Sequence, residues 1–112
     1  VSFGLLDGWN ALDAAGRAQV RELSLVGGGA RSAHWGRLLA PLLGVPLVLR
    51  EGGETGGALG AARLAALAVG GTEAEFCTAS PERERHLPDA AWREQLLPRY
   101  QRFRDLYPRL NR

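Results

Sequence analysis

The spacing of apolar residues over the first 26 positions changes from a helical pattern to a strand pattern. Apolar side chains recur at three-residue steps along one face of the first predicted helix, which holds Phe3, Leu6, Trp9 and Leu12. Gly16 is expected to end this helix, because glycine readily takes the left-handed conformation found just past helix ends. The apolar run from Val20 to Val26 predicts a strand that leads directly into a run of glycines.

The same alternation continues after those glycines. Ser32 is a competent N-cap for a second helix, and Gly44 is expected to end it. The apolar face of that helix carries Trp35, Leu38, Leu39, Leu42 and Leu43. A short strand over 47–50 and a third helix over 58–69 follow. Strands that alternate with helices predict parallel pairing and a fold of the α/β class.

Beyond Gly71 the apolar pattern weakens. A short helical turn is predicted over 72–77 and a polar link over 79–88. Asp89 can cap a last helix, which Pro98 should kink or interrupt because proline lacks the backbone N–H that helices need.

This pattern divides the chain into an α/β portion, residues 1–71, and a helical tail, residues 72–112, that packs on it. Two strands are too few for an independent sheet, so further strands are expected to precede Val1. The sequence also begins within a helical pattern and without methionine, which favours a fragment of a longer protein.

Composition excludes several kinds of site. All fourteen basic residues are arginines, so the chain has neither the lysine of a Walker A loop nor a lysine for a Schiff base. Cys77 alone cannot close an intrachain disulfide or complete a structural zinc site, and it is expected as a small apolar residue of a short helix in a reducing, cytoplasmic setting. No apolar run approaches the ~18 residues of a membrane span, so no membrane partner is expected.

The small net charge of the chain does not favour nucleic acid as a partner. The net charge is +2, and eight arginines follow Pro81 without a nucleic-acid-binding motif. They are interpreted as a solvated helix face. No aspartate stands beside the glycine-rich segments, so no metal ligand and no catalytic residue are predicted in this chain.

The strongest chemical signal is the first glycine turn, residues 27–31. A strand that feeds glycines into a helix start gathers free backbone N–H groups and the positive helix end, which is the geometry of an anion site. A tight structural turn explains three glycines alone equally well. The residues predicted to bind a ligand are Gly27, Gly28, Gly29, Ala30 and Ser32.

Neighbouring residues have plainer interpretations. Ser32 stands where the dinucleotide fingerprint has its third glycine, so that motif is excluded. Arg31 can face either phosphate or solvent, and solvent is favoured. His34 should face away from Trp35 and is not expected to be catalytic. The tryptophans, Trp9, Trp35 and Trp92, are expected in the core.

When the residues that follow the first glycine turn are included, the pattern points to one protein family. Residues 27–35, Gly-Gly-Gly-Ala-Arg-Ser-Ala-His-Trp, run into Leu-Leu-Gly-Val-Pro at 42–46 and resemble the nucleotide-binding signature of the FGGY carbohydrate kinases. The tryptophan three residues after the serine is most similar to the xylulokinase branch. Residues 57–66 resemble the last helix of the family's ATPase domain, and Tyr100 to Pro108 its aromatic C-terminal helix. The resemblance covers essentially the whole chain.

The resemblance implies an actin-like, ribonuclease H-like ATPase domain, of which this chain is the C-terminal αβαβα portion plus the tail. ATP and Mg²⁺ are the implied cofactors, with Gly28 and Gly29 approaching the nucleotide through the backbone and Ser32 reaching toward the adenine or only capping its helix. The catalytic aspartate and the sugar contacts fall in the N-terminal remainder of the kinase, so the chain alone should be inactive. The resemblance implies that the helix around Gly60 is a hinge. The alternative is that its small residues only allow helices to pack closely.

The implied reaction moves the ATP γ-phosphoryl group to a hydroxyl of a small sugar, with D-xylulose as the first expectation. Gluconate, ribulose or a glycerol-like substrate are alternatives, and a homodimer is one possible assembly. A non-catalytic α/β interaction module is the alternative from another class. The three consecutive glycines count against it, since such a module would not need them.

Overall fold

A computed structural model describes residues 1–111 of the chain as a mixed α/β fold. The helices are α1 (Ser2–Ala11), α2 (Ala14–Gln19), α3 (Ala33–Leu43), α4 (Gly57–Ala68), α5 (Glu73–Phe76) and α6 (Ala90–Leu110). The strands are β1 (Leu23–Ser24), β2 (Leu47–Arg50) and β3 (Glu82–His86). Two 3₁₀ turns, Gly28–Arg31 and Gly53–Thr55, follow the first two strands.

The parallel pairing predicted for the first two strands is confirmed. β1 pairs with β2 in parallel, with Leu23 opposite Leu47. The ladder extends slightly past β1, because the Leu25 N–H donates to the Val48 carbonyl at 3.0 Å. Within the apolar run from Val20 to Val26, only Leu23 and Ser24 form a strand, so β1 is shorter than that run suggested.

The segment over 79–88 is not a polar link, and that prediction is wrong. Residues 82–86 form β3, which pairs antiparallel with β2 and completes the sheet order β1-β2-β3. The expectation of only two strands in this chain is wrong for the same reason. β3 packs closely on α3: a Cβ added at Gly36 would lie 2.8 Å from Cδ2 of His86.

Gly16 does not end the first helix, contrary to expectation. α1 stops at Ala11, and Leu12 is extended. Asp13 then caps α2, where its carboxylate accepts a hydrogen bond from the Gly16 N–H at 2.8 Å. An aspartate at an N-cap satisfies one of the free N–H groups of a new helix, which is why the chain turns helical again.

The ends of α3 follow the sequence prediction. The Ser32 hydroxyl accepts from the Trp35 N–H at 3.2 Å, and Gly44 ends the helix in the left-handed conformation at φ +74°. Arg93 of α6 donates to the carbonyl of Pro41 at 3.0 Å. A cation at a helix C-terminus also suits the helix dipole.

Two apolar clusters hold the elements together. Leu6 of α1, Leu42 of α3, and Leu96 and Tyr100 of α6 form the first cluster. The second joins α3 to the sheet and consists of Leu39, Ala40 and Leu47. The three tryptophans pack half-buried against these clusters, as expected.

The second half of the chain brings one confirmation and one correction. α5 forms within the predicted helical turn, with Thr72 and Glu75 as a reciprocal capping box, and Cys77 lies exposed just after it. α6 runs without interruption through Pro98, so the predicted interruption is wrong. In residues 1–111 no helix is both long and apolar enough to cross a membrane.

Candidate functional site

The first glycine turn reverses the chain between β1 and α3. Gly27 has φ +83° and ψ −170°, a conformation that only glycine adopts without strain. Gly28–Arg31 then forms a single 3₁₀ turn, and Ser32 begins α3. Gly27 is therefore the position in this turn whose backbone conformation requires glycine, whereas Gly28 and Gly29 have negative φ angles.

The start of the 3₁₀ turn leaves donors free. The Ala30 N–H donates to the Gly27 carbonyl at 3.0 Å, and the Ser32 N–H donates to the Gly29 carbonyl at 3.1 Å. Within residues 1–111, the N–H groups of Gly28 and Gly29 have no backbone acceptor. The first N–H groups of a helical turn are donors in search of a partner, and an anion suits them.

Gly28 and Gly29 face different surroundings. A Cβ added at Gly28 would meet no atom within 4 Å, so this residue borders open space. A Cβ at Gly29 would lie 2.0 Å from Cζ3 of Trp35, which leaves no room for a side chain. Gly28 is therefore the glycine beside which a ligand can approach, and Gly29 is required by packing.

The other predicted site residues are arranged around this turn. Ala30 is 3% exposed, and its N–H already donates to the Gly27 carbonyl, so it presents no free donor to a ligand. Ser32 is exposed and caps α3, and its hydroxyl accepts from the Trp35 N–H. Arg31 and His34 are exposed, as expected. The binding roles predicted for the five residues stay predictions.

A second glycine turn, residues 51–57, lies against the first. The Gly27 N–H donates to the Gly53 carbonyl at 2.8 Å, and a Cβ added at Gly56 would lie 3.5 Å from Cα of Gly27. The two turns thus form one surface at the ends of β1 and β2. The glycines at 52, 53, 56 and 57 were a visible signal for this contact, but sequence alone did not show which turn they meet.

Residues 1–69 match the sequence model of the C-terminal domain of the FGGY family of carbohydrate kinases. That match spans more than half of the chain. The chain belongs to the FGGY family of carbohydrate kinases. The family resemblance carried by the first glycine turn is thereby confirmed.

Named relatives of this FGGY chain are xylulose kinases. It is 40% identical over 112 residues to the xylulose kinase of Escherichia coli (strain K12), covering 98% of this chain and 23% of that protein. It is 42% identical over 69 residues to the xylulose kinase of Klebsiella pneumoniae, covering 62% of this chain and 14% of that protein.

A solved structure agrees with these sequence relatives. The crystal structure of a xyloylose kinase from Brucella ovis matches with a TM-score of 0.75 and 37% identity, covering 98% of this chain and 23% of that chain. The FGGY chain therefore spans at most 23% of the length of each relative named here.

Within residues 1–111 no group of three or more histidine, cysteine, aspartate or glutamate residues could hold a metal ion. The second glycine turn contains two acidic residues, Glu51 and Glu54, and neither belongs to such a group.

An apolar groove of about 440 Å³ runs beside the first glycine turn. It lies between α1 and the free edge of β1, and its lining includes Trp9, Leu25, Val26 and Trp35. Val26 is 61% exposed there. α4 also has no buried residue within the described chain, and Leu64 on it is 70% exposed. Both surfaces are therefore exposed in the part of the chain that the structure describes.

Proposed function

We propose that this chain forms part of the ATP site of a kinase that transfers the γ-phosphoryl group of ATP to a hydroxyl of a small sugar. The observation that carries the proposal is the surface at Gly28, where free N–H groups at the start of a helical turn border open space. Membership of the FGGY family supports the same conclusion.

In this proposal the chain supplies binding and orientation. The N–H groups of Gly28 and Gly29 donate to nucleotide oxygens. Ser32, which follows the 3₁₀ turn in the chain, reaches toward the adenine base. Mg²⁺, when bound, neutralises charge on the phosphates in such reactions. Its ligands, the aspartate that orients the sugar hydroxyl and the sugar contacts belong to the remainder of the kinase.

D-Xylulose is the proposed acceptor. The support is that both sequence relatives are named xylulose kinases and the solved relative a xyloylose kinase. We further propose the actin-like, ribonuclease H-like ATPase fold for the complete domain, whose sheet includes β3, and a cytoplasmic location. A homodimer and a hinge role for α4 belong to the same proposal.

The test is the variant Gly28→Val in the full-length protein that carries this chain. A valine side chain enters the open space where the nucleotide approaches, so the KM for ATP should rise strongly. The expected loss is about 1–3 kcal/mol, the range for a hydrogen bond to a charged group. Steady-state kinetics with ATP and D-xylulose varied separately measures it, and the KM for the sugar should change little.

Gly4→Val is the matched control, because a Cβ at Gly4 of α1 also meets no atom within 4 Å. It should leave the KM for ATP unchanged. Ser32→Ala removes one capping hydrogen bond and should lower the free energy of unfolding by about 1 kcal/mol. An unchanged ATP dependence in a folded Gly28→Val protein would show that the first glycine turn is only a turn.

A further inference from the structure

β3 carries a bulge at Arg83. Pairing with β2 runs from Leu49 opposite Glu84 to Arg50 opposite Glu82, so Arg83 has no residue opposite it. A β-bulge bends its strand locally and re-aims the side chain of the extra residue, and bulges are common next to functional sites.

The re-aimed side chain reaches both glycine turns. Nη2 of Arg83 donates to the Ala30 carbonyl of the first turn at 3.4 Å. Nη1 lies 4.0 Å from Oε2 of Glu54 in the second turn. The planar guanidinium carries donors in a rigid fork, so one arginine can address two partners at once.

The carboxylate of Glu54 is stabilised by the positive charge of Arg83. Its Oε2 atom is buried and has no hydrogen-bond partner within the described chain, and Arg83 forms an ion pair with it. A buried carboxylate oxygen is costly without a positive or donating neighbour. Arg83 is therefore held toward the second turn by charge while it also contacts the backbone of the first.

We propose that Arg83 is a positioning residue for the nucleotide. Its bridge from Ala30 to Glu54 acts beside the Gly27–Gly53 hydrogen bond to fix the spacing of the two glycine turns, and so holds the N–H groups of Gly28 and Gly29 where an anion meets them. This inference rests on the proposed function of the first glycine turn. It concerns a residue outside both glycine-rich segments and outside the 1–69 match to the family.

The experiment compares Arg83→Ala, Arg83→Lys and Arg85→Ala in the full-length protein. Arg85 is the matched control, because it lies on the same strand but pairs with Glu22 and Glu82, away from the turns. Arg83→Ala should raise the KM for ATP about two- to fivefold, the factor that partly exposed ion pairs carry. The KM for D-xylulose and kcat should stay close to wild type.

Amide hydrogen exchange of the nucleotide-free protein gives a readout that does not depend on activity. Arg83→Ala should speed exchange in residues 27–31 and 51–57 about two- to fivefold by loosening a weak ion pair, and Arg85→Ala should not. Arg83→Lys keeps the charge near Glu54 but not the fork, so it should restore only part of both properties.

The outcomes separate the two proposals. Faster exchange in a protein that shows no ATP-dependent phosphorylation would support the bridge and refute the nucleotide site. Arg83→Ala kinetics and exchange that match those of Arg85→Ala would refute the bridge. Equal rises in both KM values with a lowered melting temperature would refute a positioning role, because a general loss of stability explains them.

Discussion

Trp35 packs against the first glycine turn and makes two further contacts around it. Its indole ring occupies the place where a side chain at Gly29 would stand. Its indole N–H donates to the Ser2 hydroxyl at 2.8 Å, and its backbone N–H donates to the Ser32 hydroxyl. The indole side chain therefore connects α1 to the glycine turn, and it explains why Gly29 cannot carry a Cβ.

This packing predicts that Gly29→Ala destabilises the fold. The new Cβ would lie 2.0 Å from Cζ3 of Trp35, so the ring or the turn must move. Overpacking of this kind costs about 1–3 kcal/mol. The midpoint of urea denaturation of the full-length protein should fall, whereas Gly28→Ala, whose Cβ meets open space, should leave it nearly unchanged.

A double variant isolates the cause. Trp35→Leu shortens the side chain that fills this place, so Gly29→Ala should cost less in that background than in the wild type. Equal costs in both backgrounds would show that the two residues are not coupled and that the ring contact does not decide the effect.

At this scale, the sequence predicted what local chemistry decides. Ser32 and Gly44 are recognisable as helix caps because a cap depends on residues within one turn of it. The contact of Trp35 with Gly29 and the reach of Arg83 to Ala30 were not predictable. Both depend on side-chain directions that tertiary packing sets, and in the case of Arg83 on a bulge in a strand that the sequence did not reveal.

Among the elements, α1 and α6 are joined by a buried tyrosine. Tyr100 is 7% exposed, its hydroxyl donates to the Asp7 carboxylate, and it accepts from Nδ2 of Asn10 at 3.2 Å. Burial, together with the hydrogen bond to the negative Asp7, raises the pKa of Tyr100. Both causes favour the neutral phenol in the folded protein.

The raised pKa predicts the pH dependence of Tyr100→Phe. The contribution of Tyr100 is complete below the pKa of an unfolded tyrosine, about 10, and is lost as pH rises through the higher folded value. Near pH 7 the variant should be less stable by about 1 kcal/mol, the net value of a hydrogen bond. Chemical denaturation at several pH values should show this difference shrinking above about pH 10.

Tyr107→Phe is the control for this prediction, because Tyr107 is 74% exposed on the same helix. It should change stability little at any pH. A difference between Tyr100→Phe and wild type that stays constant through the alkaline range would contradict the assigned role of the phenol.

Prediction succeeded for elements with apolar periodicity and failed where other forces decide. β2 and α3 were predicted because their apolar residues form a clear run or a clear face. β3 escaped prediction because its residues, Glu82 to His86, are all polar or charged, and it is a strand only through its pairing with β2. α6 continues past Pro98 because packing of Leu96 and Tyr100 on either side offsets the missing hydrogen bond.

For the molecule as a whole, the exposed apolar surfaces matter most. The groove between α1 and β1 and the uncovered α4 expose apolar side chains, and β1 pairs only with β2 within residues 1–111. An unpaired edge beside apolar surface invites association with other chains. These surfaces are where the remainder of a kinase is proposed to pack.

Residues 1–112 produced alone should therefore aggregate or melt at low temperature. They should also phosphorylate no sugar, because the proposed catalytic base lies elsewhere. Size-exclusion chromatography, a thermal melt and an assay with ATP and D-xylulose check these expectations. A monomer with a sharp cooperative melt, or sugar phosphorylation by the pure fragment, would contradict them.

The first apolar cluster has a consequence for synthesis of the protein in the cell. Leu6 and Leu42 are covered by Leu96 and Tyr100, which are synthesised more than 50 residues after Leu42. A polypeptide that ends before Ala90 would leave Leu6 and Leu42 exposed to chaperones and proteases. Such a product would still carry the first glycine turn. Because α6 comes after that turn and is needed to cover the core, proteases would remove the incomplete product.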